Sequence, residues 1–283
     1  MFHNTKRNFI MRNNKIKDNN EKDPGFVNSL ARGLSILESF DAANPIMGIA
    51  ELARKTSLPK STVHRLIQTL CALRYVIPDG TSNKYMLGPK VLDLGFTVLS
   101  SLDIRDVAAP YLRMLSKSSG ETVNLAILDG WQLVYVERMK TQQIVNINLH
   151  IGSRLELYNT SMGRVLGAFR SEDWLSEYLE YLNNIPEARK YILQGGKIFR
   201  EILADVKKKG YAINNEELAP GLRSVAAPVK NREGKVVGAV NIAVSSGFFS
   251  LERLKKELLL PLLETAQAIS TAFGYQEAGD LIT

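Results

Sequence analysis

The stretch "IAELARKTSLPKSTVHRLIQTL", residues 49–70, decides how the N-terminal third is read. Ile49, Leu52 and Ala53 share one side of a short first helix. Val63, Leu66, Ile67 and Leu70 make one apolar stripe on a second helix. Two helices cross closely only where a side chain is small, and Ala53 supplies that position. Leu58, Val63 and Leu66 follow Ala53 by five, ten and thirteen residues and share a core with Leu52. This is the spacing of a helix-turn-helix. Gly commonly occupies the tight turn; Ser57 stands there instead, at some local strain. Pro59 suits the opening turn of the second helix. The far side of that helix carries Lys60, Ser61, Thr62, His64, Arg65, Gln68 and Thr69 and no acid. Hydroxyls meet bases or phosphates, and arginine meets guanine edges or phosphate, so this face suits a polyanion. Lys60, Ser61, Thr62, Arg65 and Thr69 are the candidate DNA contacts. His64 reads as a surface histidine without a catalytic partner.

The flanks extend the same pattern. "NSLARGLSILESF", residues 28–40, spaces Leu30, Leu34, Leu37 and Phe40 by three and four, with Asn28 or Ser29 as its cap. "YVIPDGTSNKYML", residues 75–87, is two β-like runs around a turn-rich tip. Three helices and a hairpin within residues 24–87 make a winged helix-turn-helix. Thr81–Asn83 and Lys84 form its wing, placed to touch the DNA backbone or minor groove. Residues 1–23 are rich in Asn, Lys and Asp without sustained periodicity, as in a disordered basic tail. Pro24-Gly25 closes it.

Charge supports an anionic partner for this third. Lys plus Arg against Asp plus Glu run six to three in residues 1–23, eight to four in 24–90, and twenty-two to twenty-two in 91–283. The whole net charge of +7 therefore lies in the first third. One cysteine, Cys71, excludes an internal disulfide framework. No apolar run is long enough to span a bilayer, and the start lacks a signal-peptide pattern. A cytoplasmic protein without membrane partners is expected.

Residues 88–104, "GPKVLDLGFTVLSSLDI", form a linker helix whose apolar residues wrap more than one narrow face. The remainder mixes helices and strands over residues 105–275, with a short tail at 276–283. "TVNLAILDGWQLVYVER" is a hairpin around Asp129-Gly130, and "SVAAPVKNREGKVVGAVNIAVS" a second around Glu233-Gly234. "IVNINLH", residues 144–150, alternates as a strand. "SMGRVLGAF", "EDWLSEYLEYL", "KIFREILADVKKKG" and the long segment from Ser250 read as helices. The fold class is α+β, with an antiparallel sheet flanked by helices.

Catalytic signatures are poor. His3, His64 and His150 lie far apart, Cys71 is alone, and no metal-ligand spacing appears. Gly195-Gly196-Lys197 lacks the frame of a phosphate loop. Thr160–Gly163 lacks the first glycine of a nucleophile elbow. Glu216-Glu217 reads as a pair of ordinary loop acids. No enzyme, metal or cofactor is expected.

Six blocks, "ARGLSILESF", "IAELARKTSLPKSTVHRLIQTL", "NKYMLGPKVLDLG", "GETVNLAILDGWQLVYVER", "GSRLELYNTSMGRVLGAF" and "GYAINNEELAPGLRSVAAPV", resemble those of the IclR family of bacterial transcription regulators, in that family's order. The resemblance covers roughly residues 28–273. It implies a winged helix-turn-helix, a linker helix and a GAF-like effector domain. It also implies a homodimer or tetramer on a palindromic operator in double-stranded DNA, and a small-molecule effector. "YNTSMGRVL" resembles the branch controlling protocatechuate and hydroxybenzoate breakdown by the β-ketoadipate route. That implies an aromatic carboxylate effector; a non-aromatic organic acid is the alternative. Two positions depart from the branch: Asn159 stands where many members have Cys, and Glu156 where they have Pro. The resemblance implies a pocket lined by Ser161, Met162, Asn214, Ser224, Asn241 and Ala243. Ser161 through Gly163 opens a helix whose free N–H groups favour an anion. Arg154 or Arg138 is placed to pair its carboxylate. Tyr158, Tyr135 and Trp131 read as core.

Overall fold

The computed structural model describes residues 25–41, 43–80, 82–100, 103–140 and 149–276. The expected disordered tail 1–23, Thr81, most of the alternating run 144–150 and the last residues 277–283 lie outside them. The chain divides into two compact units, residues 1–98 and 99–283.

The first unit runs α1 (Asn28–Leu37), β1 (Ile46–Met47), α2 (Ile49–Thr56), α3 (Lys60–Ala72), β2 (Val76–Pro78) and β3 (Tyr85–Leu87), and α4 (Lys90–Ser100) spans the division at residue 98. The strands form a small antiparallel sheet in the order β1-β3-β2. Its core is Ile36, Phe40, Met47, Leu52, Val63, Ile67, Leu70 and Val76. Leu58, Leu66 and Ala53 are partly buried against it. The Glu51 carboxylate accepts the Gly48 N–H at 2.8 Å and fixes the start of α2. Ser57 ends α2 at φ 56°, ψ 29°, in the left-handed region that the missing glycine would have favoured.

The first helix differs from expectation. Ile36 and Phe40, four residues apart, face the core, while Leu30 and Leu34 are 63% and 49% exposed. Apolar residues at 30, 34, 36, 37 and 40 offer two stripes, and packing chose the later one. Leu92 and Leu94 on α4 are also exposed. The linker helix stops earlier than expected, because Asp103 and Ile104 open the next helix.

The second unit contains α5 (Asp103–Ser119), β4 (Thr122–Asp129), β5 (Gln132–Met139), β6 (Arg154–Glu156), α6 (Ser161–Ala168) and α7 (Glu172–Leu182). It continues with α8 (Arg189–Lys209), β7 (Ala212–Asn215), β8 (Leu222–Lys230), β9 (Val236–Ser245) and α9 (Leu251–Ala272). Among the described residues the sheet is six-stranded and antiparallel, in the order β6-β5-β4-β9-β8-β7. Two hairpins, β4–β5 and β8–β9, are joined along β4 and β9. Alternation divides each strand between two cores. Val123, Leu125, Val225, Ala227, Val240 and Ile242 meet α5 and α9 on one face. Ala126, Tyr135, Ala226 and Ala239 join α6, α7 and α8 in the other core. The α8 segment is broken at Leu193–Gly196, where Gln194, Gly195 and Gly196 are left-handed. No described helix is long and apolar enough to cross a membrane.

Ser57→Gly removes a Cβ from a left-handed position. It should raise stability by about 0.5–1 kcal/mol, seen as a higher midpoint in urea unfolding. An unchanged or lower midpoint would show that the turn is not strained.

Candidate functional site

The first candidate site is the outer face of α3. With Val63, Ile67 and Leu70 inward, Lys60, Ser61, His64, Arg65, Gln68 and Thr69 are exposed and Thr62 is half-buried. No side chain caps the start of α3, and its first turn holds no acid. That end presents free N–H groups and the positive end of the helix dipole beside Lys60 and Ser61. The Thr69 hydroxyl donates to the Arg65 carbonyl at 3.1 Å, so it is already committed to its own helix. Lys84 emerges from the wing 3.9 Å from the Glu51 carboxylate, so part of its charge is met within the protein. The hydrogen bond from Gly48, then Lys84, holds the Glu51 carboxyl below its ordinary value.

The second candidate site is a cavity of about 40 Å³ between the sheet and the start of α6. Register builds it. Arg138, Asn124 and Asn241 stand opposite one another across β5, β4 and β9. Two residues along, and so on the same face, Thr122, Ala243, Ser224 and Asn214 form a second row across β4, β9, β8 and β7. Asn124 donates from Nδ2 to Asn241 Oδ1 at 2.7 Å. Asn124 Oδ1 and Arg138 Nε are buried with no partner among the described residues. The Ser161 and Ser224 hydroxyls bond at 2.8 Å. Thr160 caps α6 by accepting the Gly163 N–H at 3.1 Å. Tyr135, Leu149, Met162, Leu218 and Leu222 supply the apolar wall. Burial lowers the Arg138 pKa and pushes the Tyr135 phenol up to about 12. Arg138 is the one formally charged side chain among the described lining residues.

Ser161, Met162, Ser224, Asn241 and Ala243 all border this cavity. Gly163 and Asn214 do not. A Cβ on Gly163 would collide with the Leu157 backbone, so its smallness seats α6. Asn214 donates to the Asn159 carbonyl at 2.6 Å and accepts from Glu217 N–H at 3.3 Å, tying the β7–β8 loop to the segment before α6. Arg154 is displaced from the expected site. It lies on β6, about half exposed and ion-paired with Asp129, and the cation at the cavity is Arg138.

Tyr135 reaches the lining because register shifts between Leu125 and Ala126 in the β4–β5 pairing. Leu125 pairs Glu137 and Ala126 pairs Tyr135, so Val136 is the extra residue and Tyr135 joins the face of Arg138. Strict alternation hides this. Asn124, by contrast, left a readable signal as a polar residue inside an apolar strand.

Glu217 is not an ordinary loop acid. It accepts from both terminal nitrogens of Arg164, at 2.9 and 2.5 Å, and from the Tyr191 hydroxyl at 2.7 Å. Arg164 is 6% exposed and also donates to the carbonyls of Tyr158 and Ile213. Burial raises the Glu217 carboxyl, but the bonds and charge of Arg164 and Tyr191 outweigh it and hold the group below its ordinary value. This clamp fixes the loop that carries Leu218 to the cavity.

The model "Bacterial transcriptional regulator IclR C-terminal" matches residues 96–271, and "IclR helix-turn-helix domain" matches 29–80. The chain belongs to the IclR family. This IclR protein is 33% identical to the Pca regulon regulatory protein of Pseudomonas putida, over 87% of this chain and 84% of that one. It is 34% identical to the HTH-type transcriptional regulator KdgR of Escherichia coli (strain K12), over 91% and 97%. The crystal structure of a putative transcriptional regulator from Rhodococcus sp. RHA1 matches with a TM-score of 0.76 and 38% identity, over 88% of this chain and 98% of that one. The chain is thus a ligand-responsive, DNA-binding transcription regulator rather than an enzyme.

Glu217→Ala removes the partner of the buried Arg164 charge and should cost about 1–3 kcal/mol of stability near pH 7. The folded carboxyl has a lowered pKa. The wild-type advantage is therefore present above its ordinary value of 4.5 and is lost as pH falls below it. Urea unfolding at pH 7 and pH 3.5 checks both; a pH-independent difference would contradict the assignment.

Proposed function

We propose that this IclR regulator reads a roughly palindromic operator as a homodimer or tetramer, and that a small aromatic carboxylate of the protocatechuate or hydroxybenzoate type alters that binding. One observation carries the effector reading: a half-buried cation, Arg138, the one charged side chain among the described lining residues, set among apolar walls that include an aromatic ring. A cation there favours an anion, and Tyr135, Met162 and Leu222 favour a flat apolar body beside it. The 33% identity to a Pca regulon regulatory protein supports the same ligand class.

Ser61, Thr62 and Arg65 are the proposed readers of base edges, with Lys60 on phosphate. The hydroxyl of Thr69 and the charge of Lys84 are partly engaged within the protein, which ranks them below these four. The exposed Leu30, Leu34, Leu92 and Leu94 supply apolar surface suited to a second copy. A cavity of about 40 Å³ has room for a few waters but is far smaller than one that takes a benzene-sized ring. An aromatic effector therefore binds an enlarged state better than this one. That difference in affinity is what allows it to shift a population, and the linker helix carries the shift toward the DNA-reading unit.

Arg65→Ala should weaken binding to DNA from the protein's own promoter by about 1–3 kcal/mol in an anisotropy titration. Unchanged affinity would remove Arg65 from the reading face. Calorimetry of the full chain with protocatechuate and 4-hydroxybenzoate should show binding. It should weaken at least about tenfold in Arg138→Met and stay near wild type in Arg154→Met. No heat from either compound, with DNA binding intact, would eliminate the aromatic-acid reading.

A further inference from the structure

We infer that the Asn124–Asn241 pair is a hydroxyl reader, so that the effector carries a hydroxyl in addition to its carboxylate. This rests on the cavity being the effector site. The two residues are 1% and 5% exposed and stand opposite each other in the β4–β9 ladder. Their single mutual bond, at 2.7 Å, leaves Asn124 Oδ1 without a partner among the described residues. It also leaves the Asn241 amide nitrogen with no bond to a described residue. If both amides are turned over, the leftover donor and acceptor merely exchange places. The pair therefore offers one unpartnered carbonyl oxygen and one unpartnered amide nitrogen in either orientation.

The fold does not require this polarity. The next pair on the same face of the same two strands is Ala126 opposite Ala239, which is entirely apolar. Keeping two amides where alanines pack is destabilising unless something satisfies them. A carboxylate only accepts, so it leaves Asn124 Oδ1 facing another acceptor. A ring C–H satisfies neither atom. A hydroxyl donates to one amide and accepts from the other. The carboxylate has its own partner in Arg138, directly across from Asn124 on β5. Cross-strand neighbours are about 5 Å apart at Cα, so one small molecule can engage both. A site built to bond a hydroxyl discriminates sharply against the analogue that lacks it.

Isothermal titration of the full-length protein with two matched pairs tests this: 4-hydroxybenzoate with benzoate, and gluconate with hexanoate. The hydroxylated member of at least one pair should bind at least about tenfold more tightly than its partner. In Asn124→Ala/Asn241→Ala, which copies the neighbouring Ala126–Ala239 pair, that preference should disappear. The wild-type comparison decides the hydroxyl preference even if the double variant fails to fold, and the single variant Asn241→Ala then tests the pair by the same loss of preference. Binding of benzoate as tight as or tighter than 4-hydroxybenzoate, with no preference for gluconate over hexanoate, overturns the hydroxyl reading and leaves an aromatic-acid effector standing. A preference for gluconate over hexanoate, with no heat from either benzoate, supports the hydroxyl reading and overturns the aromatic one. Silence from all four overturns both. A preference that survives in a folded double variant overturns the assignment to this pair.

Discussion

The pairing of β4 with β9 governs the effector-binding unit. It joins two hairpins into one sheet and sets Asn124 against Asn241. A slip of β9 by one residue would send Asn241 into the aliphatic core and bring Val240 and Ile242 to the cavity. The aliphatic side prevents it. Val123, Leu125, Val240 and Ile242 are all fully buried, and each contributes roughly 1.5–3 kcal/mol. Their sum exceeds the roughly 1–3 kcal/mol cost of one unsatisfied buried acceptor. Ordinary core packing on one face thus holds a polar constellation in place on the other.

This division explains what the sequence made legible. Period-two alternation marks the strands, and Asp129-Gly130 and Glu233-Gly234 mark the hairpins, so the antiparallel sheet could be read directly. Ser224 and Asn241 showed as polar breaks in apolar strands. Arg138 and Tyr135 could not be read together, because counting by two from Arg138 leads to Val136. The bulge that brings Tyr135 round contains no glycine and arises from pairing between strands. Leu218 reaches the cavity from an irregular loop, where no periodicity indicates direction. Arg154 misled because charge alone does not reveal that Asp129 is close enough to pair with it.

The DNA-binding unit shows the same limit on a smaller scale. The α2–α3 pair was legible because close crossing demands a small residue and fixed apolar spacing. Its turn was legible as well: an unusual residue at the glycine position implied a left-handed backbone, and Ser57 has one. The phase of α1 was not legible, since two overlapping apolar stripes satisfy the same period. Lys84 and Thr69 looked free in the sequence because a residue's type shows its charge or hydroxyl but not the group that engages it. The exposed Leu30 and Leu34 are the stripe that the core did not use.

On the proposed reading, the cavity must enlarge, and its two walls differ in how readily they move. Every residue of α6 is buried, and Gly163 is pressed onto the Leu157 backbone. Displacing α6 would disturb a whole core. The β7–β8 loop is anchored instead by discrete polar ties. Glu217 binds Arg164 and Tyr191, Arg223 binds Asn215 and Glu216, and Asn214 accepts backbone N–H groups. Such ties break separately, so the loop is the softer wall. If opening costs about 3 kcal/mol, the open state is populated below roughly 1% without effector. A ligand that binds only the open state must first overcome that cost, and its apparent affinity falls by the same factor. A weaker clamp would leave the protein open without its ligand, and a stronger one would make it unresponsive. On that reading, the bond between buried Arg164 and Glu217 sets the threshold of the response, while Arg138 and the asparagine pair set which molecule can cross it.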